Sequence, residues 1–277
     1  MLNTLMKLRE IKAMVRSPWN YISREAGEYT EPEFLSIAGI DSVVVDPHNE
    51  AMPMWYNPDS NKRRILFHID DHEDSLEGAK YVKGLFNGNF GKNEWLYAKE
   101  LHTGGQIVPA LEYGLISNVV FFNPRNDFVH ILGNSFPLTR IREGRIFWNN
   151  INRGVLDTFK ISLNQIVKYM DNQCDHSNSE MILDTDLDAF NCVEDNNFNR
   201  IFRGRVNKGM GKEKREMKKK ERLEKTVNLL SKLPVPVAIT IARSQTPIAF
   251  VPVETVDEVQ KEIIEDYEKL YNSLKND

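Results

Sequence analysis

Three apolar runs in this chain each stop at a cluster of acids and histidines, and that repeated junction restricts the fold more than any bulk property. Asp41-Ser-Val-Val-Val-Asp46 leads into Pro47-His48-Asn49-Glu50. Arg64-Ile65-Leu66-Phe67-His68-Ile69 leads into Asp70-Asp71-His72-Glu73-Asp74, and Glu180-Met-Ile-Leu-Asp184 into Thr185-Asp186-Leu187-Asp188. On an extended backbone residues two apart share a face, so Asp70, His72 and Asp74 project together. His68 has the parity of Asp70 and reads as a supporting or core residue. Two carboxylates and an imidazole gathered at the end of a buried strand suit a cation, since without one the like charges raise each other's pKa.

The remaining elements fit around these junctions. Asn118–Asn123 and Phe128–Leu132 read as strands, as does Val235–Ile241, while Arg145–Trp148 and Val155–Ile161 are weaker candidates. Helical spacing runs through Leu76, Ala79, Val82 and Leu85, with Asn87-Gly88 as the stop. A second helix is expected over Ile107–Leu115, with Pro109 in its first turn. The last helix carries an apolar stripe of Val256, Val259, Ile263, Tyr267, Leu270, Tyr271 and Leu274. Strands alternating with helices imply an α/β fold in three layers, with a mainly parallel central sheet and helices on both faces. Sites in such sheets form beyond the carboxyl ends of the strands. All three acid and histidine clusters are placed there.

Bulk properties narrow the function. At 277 residues and 41% apolar content the chain can bury a large core, and its formal charge of −4 gives no general drive toward nucleic acid or an anionic membrane. Two cysteines without C-x-x-C spacing argue against a disulfide framework or a zinc finger and fit a cytoplasmic protein. No apolar run approaches the roughly 18 residues of a membrane span. Residues 1–40, beginning with the basic amphipathic stretch Met1–Arg16, are expected to be a helical extension packing on a single domain over 41–277. A basic insertion at 203–225 holds eleven Lys/Arg against four acids. Without interleaved aromatics for base stacking, and with glutamates at helical spacing, it reads as a solvated helix or loop rather than a nucleic-acid arm.

His48, Asp70, His72, Asp74, Asp184 and Asp186 supply four carboxylates and two imidazoles. Six ligands exceed the need of one tetrahedral ion but suit two ions sharing carboxylates. An oxygen-rich set of this kind favours manganese over a thiolate-type zinc site, and paired ions activate water near neutral pH.

These motifs resemble those of the arginase, or ureohydrolase, family: D-x-H-x-D after one strand, D-x-D after a later one, and an upstream histidine. Five segments are similar to an atypical branch that includes the peptide arginases of ribosomal peptide biosynthesis. They are His48-Asn-Glu-Ala-Met-Pro-Met-Trp-Tyr56, Leu66-Phe-His-Ile-Asp-Asp-His-Glu-Asp74, Ile107-Val-Pro-Ala-Leu-Glu-Tyr-Gly114, Ile182-Leu-Asp-Thr-Asp-Leu-Asp-Ala-Phe190 and Thr240-Ile-Ala-Arg-Ser244. The resemblance implies an arginase-like three-layer fold holding two Mn²⁺ ions. One would be held by His48, Asp70, Asp74 and Asp184. The other would be held by His72, Asp70, Asp184 and Asp186, with Asp70 and Asp184 bridging. The implied reaction converts arginine side chains to ornithine with release of urea. Asp188 is then expected to support the ligands rather than join them.

The family's usual Gly-Gly-Asp-His-Ser around the first histidine is replaced here by Asp46-Pro-His-Asn-Glu50, and the free-arginine recognition residues have no clear match. Both departures favour a substrate other than free arginine, and the resemblance implies arginine within a precursor peptide. His102, in Leu101-His-Thr-Gly-Gly105, resembles the loop histidine that moves protons in arginases, and a general acid is needed for the leaving amine. Glu50 and Glu73, each beside a ligand, are candidates for pairing with guanidinium or for supporting the ligands. Arg243 and Ser244 are candidates for shaping the pocket. Two other readings stay open: hydrolysis of a guanidino or amide C–N bond in a small molecule, and a non-catalytic metal-stabilised scaffold that uses Lys212–Lys220 to hold a partner. A homo-oligomer is compatible with any of them.

Overall fold

The computed structural model describes residues 30–56, 61–72, 74, 104–112, 114–125, 128–133, 163–176, 178–192, 201–202, 205–206, 211–245 and 249–275. Its centre is a seven-stranded sheet built from β1 (Glu33–Ile37), β2 (Ile40–Val45), β3 (Arg63–Ile69), β4 (Asn118–Asn123), β5 (Phe128–Gly133), β6 (Ser179–Asp186) and β9 (Ala238–Ala242). The order across the sheet is β1-β2-β9-β6-β3-β4-β5. The five inner strands are parallel, and β1 and β5 close the two edges antiparallel. A separate two-stranded ribbon pairs β7 (Ile201–Phe202) with β8 (Arg205–Val206).

The pleat of the inner strands sorts their side chains into two cores. Val44, Ile65, Phe67, Ile69, Met181, Leu183, Ile239 and Ile241 pack on one face. That face is covered by helices α2 (Leu163–Asp171), α3 (Lys212–Leu230) and α4 (Val256–Leu274), which contribute Ile166, Met170, Leu223, Leu229, Tyr267 and Tyr271 among others. Val43, Val45, Leu66, Ile182, Ala238 and Ala242 point the other way. They meet a 3₁₀ helix (His48–Trp55) and the short α1 (Ile107–Glu112), through Ala51, Met52, Trp55, Ile107 and Ala110. The fold is therefore a three-layer mixed α/β structure, as expected. Each fully buried aliphatic or aromatic side chain in these two cores contributes about 1.5–3 kcal/mol relative to exposure.

The stripe foreseen on the last helix is buried from Val256 to Tyr271. Tyr267, which reaches under the sheet, meets the hydroxyl of Thr185 at 3.0 Å. Three elements differ from the sequence expectation. Residues 33–37, inside the stretch read as a helical extension, form β1. A two-residue turn, with Ala38 at φ 50° and Gly39 at φ 76°, folds this strand back onto β2. That turn conformation, with both central φ angles positive, matches the strand twist and favours glycine. Strand β6 runs through Asp184 to Asp186 rather than ending at the first acid. The basic segment contributes one side of α3 to the core. Lys219, Arg222, Leu223 and Thr226 are buried, and the Lys219 ammonium lies 2.9 Å from both Glu216 and Glu262. The expected helix over Leu76–Leu85, the two weaker strands between 145 and 161, and the stretch Met1–Arg16 lie outside the described residues. Among the described residues no helix is long and apolar enough to cross a membrane.

Candidate metal centre

Because the five inner strands are parallel, their carboxyl ends fall on one edge of the sheet. His48 follows β2, Asp70, His72 and Asp74 follow β3, Asp184 and Asp186 end β6, and Arg243 and Ser244 follow β9. Asp184 and Asp186 share the parity of Ile182, and His68 and Asp70 that of Leu66. All four therefore rise from the face covered by the 3₁₀ helix, whose first residue is His48. His48, His68, Asp70 and Asp184 are fully buried, Asp186 and Asp188 nearly so, and Asp74 is 9% exposed. His72, with its side chain 43% exposed, lies at the mouth.

The polar groups stand in levels. At the deepest level the sheet register sets His68 beside Asp184 and Asp184 beside Thr240. His68 Nδ1 lies 2.7 Å from Asp184 Oδ2, and His48 Nε2 reaches the same oxygen at 2.9 Å from the covering helix. Thr240 donates its hydroxyl to Asp184 Oδ1 and receives the Trp55 indole N–H at 3.3 Å. A carboxylate is only an acceptor, so each of these imidazole nitrogens is a donor.

One level higher, Asp70 and Asp186 make the same local turn. Asp70 Oδ1 accepts the His72 backbone N–H at 2.7 Å, and Asp186 Oδ1 accepts that of Asp188 at 3.0 Å. Their Oδ2 atoms face His48 Nδ1 at 3.4 and 3.1 Å, and Asp74 Oδ2 approaches it at 2.8 Å. None of the three is aligned for a hydrogen bond with His48 Nδ1. Both His48 Nδ1 and Asp70 Oδ2 are buried without a hydrogen-bond partner among the described residues. At the mouth, His72 Nδ1 pairs with Asp188 Oδ2 at 2.9 Å and stands 3.7 Å from Asp70 Oδ1. Phe250 packs edge-on to the same imidazole, with ring centroids 5.2 Å apart.

The supporting frame includes residues that the sequence did not single out. Gln106, after the Gly104-Gly105 turn, donates to Asp74 Oδ2 at 2.5 Å. Asp71, of opposite parity to Asp70, is clamped by Arg125 at 2.6 Å and by Asn123 at 3.1 Å, which fixes the end of β3 against β4. Asp46 accepts the Gln245 backbone N–H at 2.8 Å and ties the end of β2 to the segment after β9. Ser244 donates its hydroxyl to Asp186. Asp74 and Ser244 both adopt left-handed backbone, at φ 46° and 52°. Such strain costs on the order of 1–3 kcal/mol per residue and collects at functional sites.

The candidates beyond the six-residue set are placed differently from one another. Arg243 turns its guanidinium to α4, where it meets Gln260 at 2.6 Å and Asp257 at 2.7 Å. Glu50 is buried in the first turn of the 3₁₀ helix. His102 and Glu73 lie outside the described residues. Only parity offered a sequence signal for His68, and nothing in the sequence marked Gln106 or the Asp71–Arg125 clamp.

Electrostatics follow from packing eight ionisable groups so closely. Burial alone would lower His48, but Asp184 and Asp74 outweigh it and hold the imidazole well above its ordinary value. Burial, together with Asp188, Asp74 and Asp186, pushes Asp70 well above the usual carboxylate range. Burial and Asp188 push Asp186 up to about 6. Burial also opposes ionisation of Asp184, yet His48 and His68 keep it well below that range. Against the same opposition, Asp74 is held down by His48, and Asp188 by His72. The groups His48/His68/Asp184, His48/Asp70/Asp74 and Asp70/His72/Asp188 each bring three ligand atoms within 4.8 Å of one another, close enough to hold a metal ion. Orphaned buried atoms and raised carboxylate pKa values fit a cation at this edge.

No family model matches the chain, and no curated protein matches it. Among solved structures, proclavaminate amidino hydrolase from Streptomyces clavuligerus aligns with 83% of this chain and 63% of its own, at 10% identity and a TM-score of 0.39. The alignment thus spans less than two thirds of that enzyme, and at this level of similarity it carries no argument about activity.

Proposed function

We propose that the protein is a binuclear manganese hydrolase that converts arginine side chains of a peptide substrate to ornithine, with release of urea. The observation that carries the metal reading is the approach of three buried carboxylate oxygens to His48 Nδ1, none of them aligned for a hydrogen bond with that nitrogen. A proton on that nitrogen can satisfy at most one of the three, whereas a divalent cation draws on all of them and on the imidazole lone pair. The motif resemblance supports the arginine chemistry and a peptide substrate, and the departures around His48 argue against the free amino acid.

Two manganese ions would be held among His48, Asp70, His72, Asp74 and the acidic run Asp184–Asp188. When bound, they would supply Lewis acidity and lower the pKa of water at the site. The chain's own groups do the rest. Asp184 keeps the proton of His48 on Nε2, so that Nδ1 offers a lone pair. The carboxylates at the mouth attract a guanidinium, and Phe250 beside His72 gives its alkyl stem an apolar wall. His102 would protonate the departing amine.

The experiment is to incubate manganese-loaded protein with arginine-containing peptides, free arginine and agmatine. Urea is then assayed, and the peptide mass is checked for conversion of guanidinium to amine. Release from peptides in preference to the two small molecules is the expected result. Release from agmatine or arginine alone overturns the peptide assignment, and release from none of them overturns the guanidino chemistry.

A further inference from the structure

We propose that Asp188, and not Asp184, completes the metal set, and that Asp184 with His68 and Thr240 forms a buried rack that positions His48. The proposal rests on the metal reading above and sharpens it. Register is the first argument. Ile69 pairs with Thr185 as the last step of the ladder, and the residues that follow on the two strands are Asp70 and Asp186. The 2.9 Å contact between His72 and Asp188 follows that alignment. Local geometry is the second. Asp70 and Asp186 are matched in their turns, each spending Oδ1 on the backbone N–H two residues ahead and aiming Oδ2 toward His48 Nδ1. The motif D-x-H of β3 is therefore level with Asp186-Leu-Asp188, one pleat later than the D-x-D that sequence order suggests.

Saturation is the third argument. Asp184 Oδ2 faces two imidazole nitrogens, at 2.7 and 2.9 Å, and Oδ1 takes the Thr240 hydroxyl. Three donors around a fully buried carboxylate leave little lone-pair capacity for an ion. The same contacts do a different task. By holding the Nε2 proton of His48, Asp184 fixes the tautomer and ring angle that aim Nδ1 at Asp70, Asp74 and Asp186, as carboxylates behind metal-binding histidines do. One ion would then lie among His48, Asp70, Asp74 and Asp186, and the other among Asp70, His72, Asp186 and Asp188. Asp70 and Asp186 would be shared.

The test counts metal rather than turnover. Wild type, Asp188→Asn, Asp184→Asn and Thr240→Val are equilibrated with Mn²⁺, the bound ion is counted by elemental analysis, and affinity is measured by titration calorimetry. Circular dichroism confirms that each variant is folded. Two ions are expected in wild type and one in Asp188→Asn. Asp184→Asn is expected to keep two, with the tighter site weakened by about 10- to 100-fold. Thr240→Val, which keeps the charge, should weaken it in the same direction and by less, and it carries the test if Asp184→Asn does not fold. In metal-free protein the His48 Nε2 proton should give a downfield NMR signal that Asp184→Asn removes and Asp188→Asn retains. Two ions bound at wild-type affinity by Asp188→Asn, or loss of one ion in folded Asp184→Asn, overturns the assignment while leaving the metal reading intact. Wild type that takes up no manganese overturns both. The expected pattern of ions without urea release supports the assignment and rejects only the arginine chemistry.

Discussion

Among the described residues, two clusters of buried charge handle their excess differently. Between α3 and α4 the ammonium of Lys219, 3% exposed, is surrounded by Glu216, Glu258 and Glu262, which are 37%, 61% and 37% exposed. One cation faces three carboxylates there, but water reaches every glutamate and solvates the excess. At the sheet edge Asp70, Asp184, Asp186 and Asp188 are at most 3% exposed and share their space with His48, His68 and the half-open His72. Burial withholds water from that excess, so its neutralisation falls to protons or to a cation. The first cluster is a helix-to-helix fastening. The second brings together donor atoms close enough to hold a cation.

Breaking the contrast at its strongest point, Asp70→Ala should abolish both metal uptake and activity. Its two oxygens face His48 and His72, so its removal opens both groups of ligand atoms. The expected loss exceeds the roughly 100-fold that removal of a supporting residue costs. Elemental analysis and the urea assay check this together, and a folded Asp70→Ala protein with unchanged activity would sink the assignment. Next in size is the metal's effect on stability. Manganese at a hundredfold over its dissociation constant should stabilise the folded chain by about 2.7 kcal/mol. Thermal unfolding with and without chelator reads this directly, and Asp70→Ala should show no such difference.

The pH dependence sharpens the comparison further. Asp186 is raised to about 6 in the folded, metal-free protein. Its contribution to stability is therefore complete below the ordinary carboxylate value and is lost as pH rises through about 6. Asp70, His48 and His72 are also raised and have the same sign, while the lowered Asp184, Asp74 and Asp188 contribute throughout and lose their share only in stronger acid. The metal-free Tm should thus fall from pH 5 to pH 8. Manganese affinity should rise over the same interval, because the ion competes with those protons. The smallest effect belongs to the balanced cluster. Lys219→Met should change stability by no more than about 1 kcal/mol, because its glutamate partners rehydrate, and it should leave metal content and activity unchanged.

Much of this is legible in the sequence. Runs such as Val43–Val45 and Phe67–Ile69 are buried on both sides and read as parallel-sheet strands, so the edge where His48, Asp70 and Asp184 would meet followed from their order. What escaped were features set by register and tertiary contact. Sequence spacing alone could not tell that Asp186, rather than Asp184, stands level with Asp70, because that depends on how far β6 slides along β3. The three donors that enclose Asp184 come from β3, β9 and the 3₁₀ helix, segments separated by more than fifty residues from it. β1 was missed because its turn is short and its outward face is exposed, leaving little periodic signal against the basic stretch before it.

The central claim is that this edge is a two-metal centre, and anomalous diffraction from crystals grown with manganese tests it most directly. The account predicts two manganese peaks, one against His48 Nδ1, Asp70 and Asp74 and the other against Asp70, His72 and Asp188. Manganese-soaked crystals with no anomalous peak within bonding distance of Asp70 would contradict it.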